Sequence, residues 1–258
     1  MGTKNLKLRK LCVVISALML SSGVLKAGEY EDIKNKMEII NKKIENFITN
    51  PTTDNIIKAG GEEYKEWELQ MDYIYKKFLL ELEKAKYSKA KNSLIESQKN
   101  WLKFKDADSK YNYYVDSGDG EGTIRAISAT FSLVKTTEER TLSLAQLYDN
   151  FVENNSKFKN EKITKKIYED ANSKLNKTYN KLIDMLKKLR FKNSINALTI
   201  SESEWDSYIK KEAVFRHYLF NNDKEVEKGT VYYDTLTKFT DERYEYLKTG
   251  LDTLEGNF

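Results

Sequence analysis

Proline is almost absent from this chain of 258 residues; Pro51 is the only one. Its ring forbids helix continuation, so elsewhere long helices face no such break. Cysteine also occurs once, as Cys12, which rules out an intrachain disulfide framework and a thiolate zinc site. There is one histidine, His217, so a His cluster for metal or for paired acid–base chemistry cannot be built. No Gly-x-Ser-x-Gly motif or other triad signature occurs. With 40 acidic residues, no single pair of carboxylates stands out as a glycosidase dyad. The sequence therefore reads as non-enzymatic, with no catalytic residue, cofactor or metal.

The first residues are set apart from the rest. Lys4, Lys7, Arg9 and Lys10 form a basic start, Leu11 to Leu25 is mostly apolar, and Ala27 supplies a small residue at the end. This is the pattern of a secretory signal peptide over residues 1–27, too short to span a bilayer comfortably. The alternative is a retained N-terminal anchor. Cys12 lies near the start of the apolar run, so it does not read as an acylated lipoprotein cysteine. Five of the 44 Lys and Arg, and none of the 40 Asp and Glu, fall in residues 1–27. Without them 39 basic residues face 40 acidic ones, and net charge falls from +4 to −1. Such a chain gives no electrostatic reason for a nucleic-acid partner, and residues 28 onward offer no membrane span. The reading is an exported protein, periplasmic or secreted, held together by packing alone.

Apolar residues recur at helical spacing along the remainder. Ile33, Met37, Ile40, Ile44, Phe47 and Ile48 mark one helix, stopped at Asn50-Pro51, and Gly60-Gly61 marks the next break. Tyr64, Trp67, Met71, Ile74, Phe78 and Leu82 share a second helical face. A third helix carries Leu94, Trp101, Phe104, Tyr111 and Val115 and ends in a glycine-dense loop, residues 116–123. Another runs from about Ile124 to Phe151. No segment alternates strictly enough for a strand.

After Asn154-Asn155 the pattern starts again. At an offset of 104, Met71 meets Leu175, Leu82 meets Leu186, Ser97 meets Ser201 and Trp101 meets Trp205. At an offset of 103, Thr137-Glu138-Glu139-Arg140 meets Thr240-Asp241-Glu242-Arg243. This is an internal duplication. The fold class is all-α: two tandem three-helix units with an extra N-terminal helix. The expected divisions are 1–27 signal peptide, 28–59 N-terminal helix and linker, 60–155 first repeat and 156–258 second repeat.

Trp101 and Phe104 lie three residues apart on one helix face, as do Trp205 and Tyr208. Both pairs read as core anchors and not as an aromatic binding site. Arg140 and Arg243 read as ties between helices, each guanidinium pairing with a carboxylate of a Trp helix, for which Asp106 and Glu212 are candidates.

A Trp helix with Ser97, Gln98, Trp101, Phe104, Lys105 and Asp106, then Gly122-Thr123, then Thr137, Glu139, Arg140, Thr141 and Leu144, resembles the LprI-like lysozyme-inhibitor family of exported bacterial proteins. The second copy keeps Ser201, Trp205, Tyr208, Gly229, Thr230, Thr240, Glu242, Arg243 and Leu247, but has Ile209-Lys210 in place of Lys105-Asp106. The copies span about residues 62–150 and 165–252. The resemblance implies family cysteines just after the Trp-helix Asp and before the Thr-x-x-Arg element. Here Ser109 and Ser132 stand in the first copy and Ala213 in the second, a cysteine-free variant. It also implies a partner, lysozyme or a related muramidase, blocked sterically by a protein–protein interface. The alternative function is a structural or adhesive helical repeat of the cell envelope.

The loop with Asp116, Asp119 and Glu121 fails the calcium-loop register, because Gly118 would fall at position three and Glu121 at position six. It reads instead as a solvated acidic turn able to steer onto a basic partner. Asp116, Asp119 and Glu121 are the candidate partner-binding residues.

Overall fold

The computed structural model describes residues 28–47, 52–116, 118–120, 122–153 and 164–257. The signal-peptide reading of residues 1–27 and the candidate residue Glu121 lie outside the described residues. The described chain is all-α, seven helices without a strand: α1 (Glu29–Phe47), α2 (Thr53–Lys84), α3 (Ser88–Val115), α4 (Ile124–Val152), α5 (Lys165–Lys188), α6 (Lys192–Phe220) and α7 (Thr230–Asn257). Helices α2–α4 form one unit and α5–α7 the other, with α1 laid across α2 and α4. No described helix is long and apolar enough to cross a membrane.

Gly60-Gly61 does not break the chain as the sequence suggested. Thr52 caps α2, its Oγ1 accepting from Asn55 N at 3.3 Å, and the helix runs through both glycines. Gly60 is buried against α4, where a Cβ would lie 2.7 Å from Thr130 Cγ2. The missing side chain serves close helix approach, at a propensity cost of about 1 kcal/mol. The division drawn at residue 60 thus falls inside α2.

The duplication extends into the turns. Lys86 and Arg190, 104 apart, both take the left-handed conformation at φ 63° and 62°. Each ends its helix alike: Tyr87 N donates to Leu82 O, and Phe191 N to Leu186 O. Two further left-handed pairs, Gly118-Asp119 and Asn222-Asp223, are also 104 apart. Glycine, Asn and Asp are the residues that tolerate this region best. At Gly118 it also admits a close neighbour, since a Cβ there would meet Phe191 Cζ at 2.7 Å.

The two units are not separate packets. Helices α3 and α6 make the most extensive contact in the molecule. They run antiparallel: Asp223 reaches Ala90, Glu212 reaches Ser97, and Asp108 reaches Ser201. Midway, Phe104 and Tyr208 stack at 5.9 Å with planes 7° apart, marking a local two-fold axis. Each hydrophobic core therefore draws on both units. Trp101, Phe104 and Tyr111 of α3 lie in the core of α5–α7 with Trp205 and Leu182. Phe215 and Leu219 of α6 lie in the core of α1, α2 and α4 with Trp67 and Phe78.

The helix starts are exchanged in the same way. Asp119, leaving α3, accepts from Ser194 N at 2.8 Å and from Asn193 N, capping α6. Asp223, leaving α6, accepts from Lys89 N at 3.0 Å and Ala90 N at 2.6 Å, capping α3. Asp119→Ala and Asp223→Ala should each lower stability by about 1 kcal/mol, the usual value of an N-cap. In urea denaturation both should shift one common transition. Two separate steps, with only one moved by each variant, would contradict the shared core.

Candidate functional site

The family-motif residues converge where α4 and α7 meet the α3–α6 pair. Arg140 is buried, and its Nη1 donates to Glu212 Oε2 at 2.8 Å and Tyr208 OH at 3.2 Å. Its Nε donates to Gln98 Oε1 at 3.1 Å and its Nη2 to Ser97 Oγ at 3.3 Å. Ser97 Oγ in turn donates to Glu212 Oε2 at 2.6 Å. Arg216 Nε closes the site on Glu212 Oε1 at 2.8 Å. The motif Ser and Gln thus position a guanidinium whose counter-ion comes from the other unit.

The axis repeats this arrangement. Arg243 Nη1 pairs with Asp108 Oδ1 at 2.8 Å, Nη2 donates to Ser201 Oγ at 2.9 Å, and Nε donates to Glu202 Oε1 at 2.7 Å. Ser201 Oγ donates to Asp108 Oδ1 at 2.9 Å. The guanidinium planes also lie over aromatic rings, Arg140 over Tyr208 and Arg243 over Phe104. The charge balance differs between the ends. Two Arg surround Glu212, whereas Arg243 stands between Asp108 and Glu202.

Of the two sequence candidates for these ties, Glu212 pairs with Arg140 and Asp106 does not take part. Its side chain is 75% exposed on the outer surface. Two residues further on, about 200° round the helix, Asp108 faces inward and takes the role. Asp108 and Glu212 are 104 apart and both acidic, so the repeat offset carries the signal that reading each motif alone misses. Lys105 is buried over the Trp101 ring, paired with Glu68 at 3.1 Å and with Tyr64; its counterpart Ile209 is buried without a charge. Ser109 and Ser132 hydrogen-bond within the α3–α4 region: Ser109 Oγ donates to Ala129 O at 3.0 Å, and Ser132 Oγ accepts from Asn112 Nδ2 at 3.2 Å.

Burial alone would raise the Glu212 carboxyl, but Arg140, Arg216 and Ser97 overcome it and hold its pKa at about 2. Arg243 is held above its ordinary value by Glu202 and Asp108 against the cost of burial. On α4, burial lifts Glu138 to about 7, with Glu63 and Glu139 adding to the effect.

Trp101, Trp205, Phe104, Tyr208, Arg140 and Arg243 are all buried. The surface offers the α3–α4 loop. Asp116 is exposed there, and the loop base is fixed by the Asp119 cap, by Phe191 against Gly118, and by Arg125 donating to Gly120 O. A groove of about 390 Å³ lies between α1 and α2, beside the exposed Leu69 and Tyr73. His217 is buried, and its Nε2 lies 3.2 Å from Val226 O in the α6–α7 connection. Among the described residues no group of three or more His, Cys, Asp or Glu is placed to hold a metal ion.

A family model described as lysozyme inhibitor LprI matches the chain twice, over residues 48–144 and 153–247. A crystal structure of an uncharacterised protein from Burkholderia thailandensis shares the fold, with a TM-score of 0.54 at 16% identity, over 84% of this chain and 96% of that one. A search of curated proteins finds no match.

Two outcomes follow from the charges. Glu212→Gln leaves Arg140 and Arg216 without their counter-ion and should cost on the order of 3–5 kcal/mol. Because the Glu212 pKa is depressed, its stabilisation is present above about 4.5 and is lost as pH falls through about 2. The variant should therefore differ most from the parent near neutral pH, read by thermal melting across pH. Glu138 has the opposite sign: its raised pKa makes its ionisation cost stability as pH climbs from about 4.5 to about 7. Glu138→Gln should raise the melting temperature at pH 8 by roughly 2–4 °C and leave it unchanged at pH 4.

Proposed function

The chain belongs to the LprI lysozyme-inhibitor family, and from that premise we propose that it is an exported, non-enzymatic binding protein that blocks a lysozyme or related muramidase sterically. Such a blocker has to place a firm, convex element over the glycan cleft, where no chemistry is required of it. The α3–α4 loop is the element that fits this requirement best. The observation that carries the reading is its construction: an exposed Asp116 on a turn anchored by the Asp119 cap and by Phe191. A turn held at Gly118, Asp119 and Gly120 loses little conformational freedom there on binding. Asp116 and Glu121 supply negative charge toward a basic enzyme surface, while Asp119 serves as the pin that holds the turn.

Electrostatic steering of this kind acts mainly on the association rate and weakens with salt. Purified protein should suppress lysis of cell-wall substrate in a stoichiometric titration against lysozyme. Asp116→Lys with Glu121→Lys should slow association about tenfold and flatten its salt dependence. A protein that leaves lysis unchanged at every concentration would be a structural or adhesive module instead. Unchanged potency of the double variant would remove the loop from the interface.

A further inference from the structure

Gly28 stands immediately before α1, and Asp149, near the end of α4, closes over the first turn of that helix. The Asp149 carboxylate accepts from Glu29 N and Tyr30 N, both at 2.9 Å. A Cβ on Gly28 would lie 2.6 Å from Asp149 Oδ2 and 2.7 Å from its Cγ. Any larger residue would push against a carboxylate that two backbone donors already hold. From standard bond lengths, the Gly28 nitrogen lies within about 5 Å of that carboxylate.

Among the described residues, the donors on the Asp149 carboxylate are the two uncharged backbone amides of α1. Glu29 of α1 is paired with Lys77 of α2, and Lys77 also lies over the Tyr148 ring. Burial, with Glu29 and Glu153, raises Asp149 above the usual carboxylate range, against the two backbone donors. The other unit shows the contrast. Asp252, the counterpart of Asp149 at the 103 offset, is paired with Lys248 at 3.0 Å. The residue matching Lys248 is Ala145, so α4 supplies Asp149 with no such cation.

We infer that cleavage after Ala27 creates an α-ammonium on Gly28 that pairs with Asp149 and fastens α1 across α2 and α4. This rests on reading residues 1–27 as a signal peptide and is independent of the partner. In the uncleaved chain the Gly28 nitrogen is an uncharged amide. Processing converts it into a cation beside Asp149, so the maturation site and the helix lock are one feature. A free α-amino group titrates near 7.7–8.0, and a neighbouring carboxylate raises that value. The lock is therefore fully present below about 7.7 and is lost as pH rises through the raised value.

Both cores lie within residues 33–254, so a chain of residues 28–258 retains all of them. That chain, released from a cleavable fusion with a free Gly28 amine, is compared by thermal melting with one that keeps Ala27. The free-Gly28 protein should melt roughly 2–4 °C higher at pH 6, with the gap closing at pH 9.5. Asp149→Asn should abolish the gap at pH 6. Equal melting at pH 6, or a gap that persists at pH 9.5 or in the variant, overturns the lock. The intact mass of the full-length gene product after export should begin at Gly28; a different first residue overturns the processing position without touching the inhibitor reading.

Discussion

The antiparallel crossing of α3 and α6 is the constraint on which everything else rests. It buries two arginines, each on a flanking helix, and each is paired with a carboxylate from the opposite unit, with Glu202 of α6 adding a second partner to Arg243. A buried guanidinium without its partner is costly, so register, spacing and handedness of the crossing are set together. The Phe104–Tyr208 stack fixes the centre, and the exchanged caps of Asp119 and Asp223 fix both ends. Four polar ties and one stack thus specify an arrangement that apolar contact alone would leave free to slide.

Symmetry is broken at the periphery and preserved at the centre. Among the described residues helix α1 has no counterpart on the second unit, and the sequence explains why. Where α1 sits against Trp67, Gln70, Ile74 and Ala145, the second unit offers Ala171, Lys174, Thr178 and Lys248. Lys174 lies over the Tyr244 ring at 3.7 Å, and Lys248 is paired with Asp252. The face that is greasy in one copy is small and charged in the other, so it requires no covering helix.

Much of this was legible in the sequence, because period 3.6 patterns, scarce proline and an offset of 104 are local or arithmetic signals. The all-α class, the seven helical stretches and the duplication could be read from them. What could not be read were features that depend on which face points where across a long distance. Gly60-Gly61 looks like a break until Thr130 is seen to need the room. Asp106 looks like the arginine partner because it stands in the motif, while Asp108 takes that role two residues later. Asp119 looks like a solvent charge, yet its carboxylate caps a helix 75 residues away. In each case the deciding neighbour belongs to a distant helix, and helical periodicity says nothing about it.

The local two-fold axis has a consequence for assembly. A single unit of this kind would expose the α3 face, together with a buried arginine seeking its carboxylate, and could satisfy both only by pairing with a second copy. Joining two copies in one chain turns that bimolecular step into an intramolecular one, at an effective concentration set by the connection and not by the surroundings. The covalent pair stays whole at any dilution, and each half is released to change its outer surface independently of its twin.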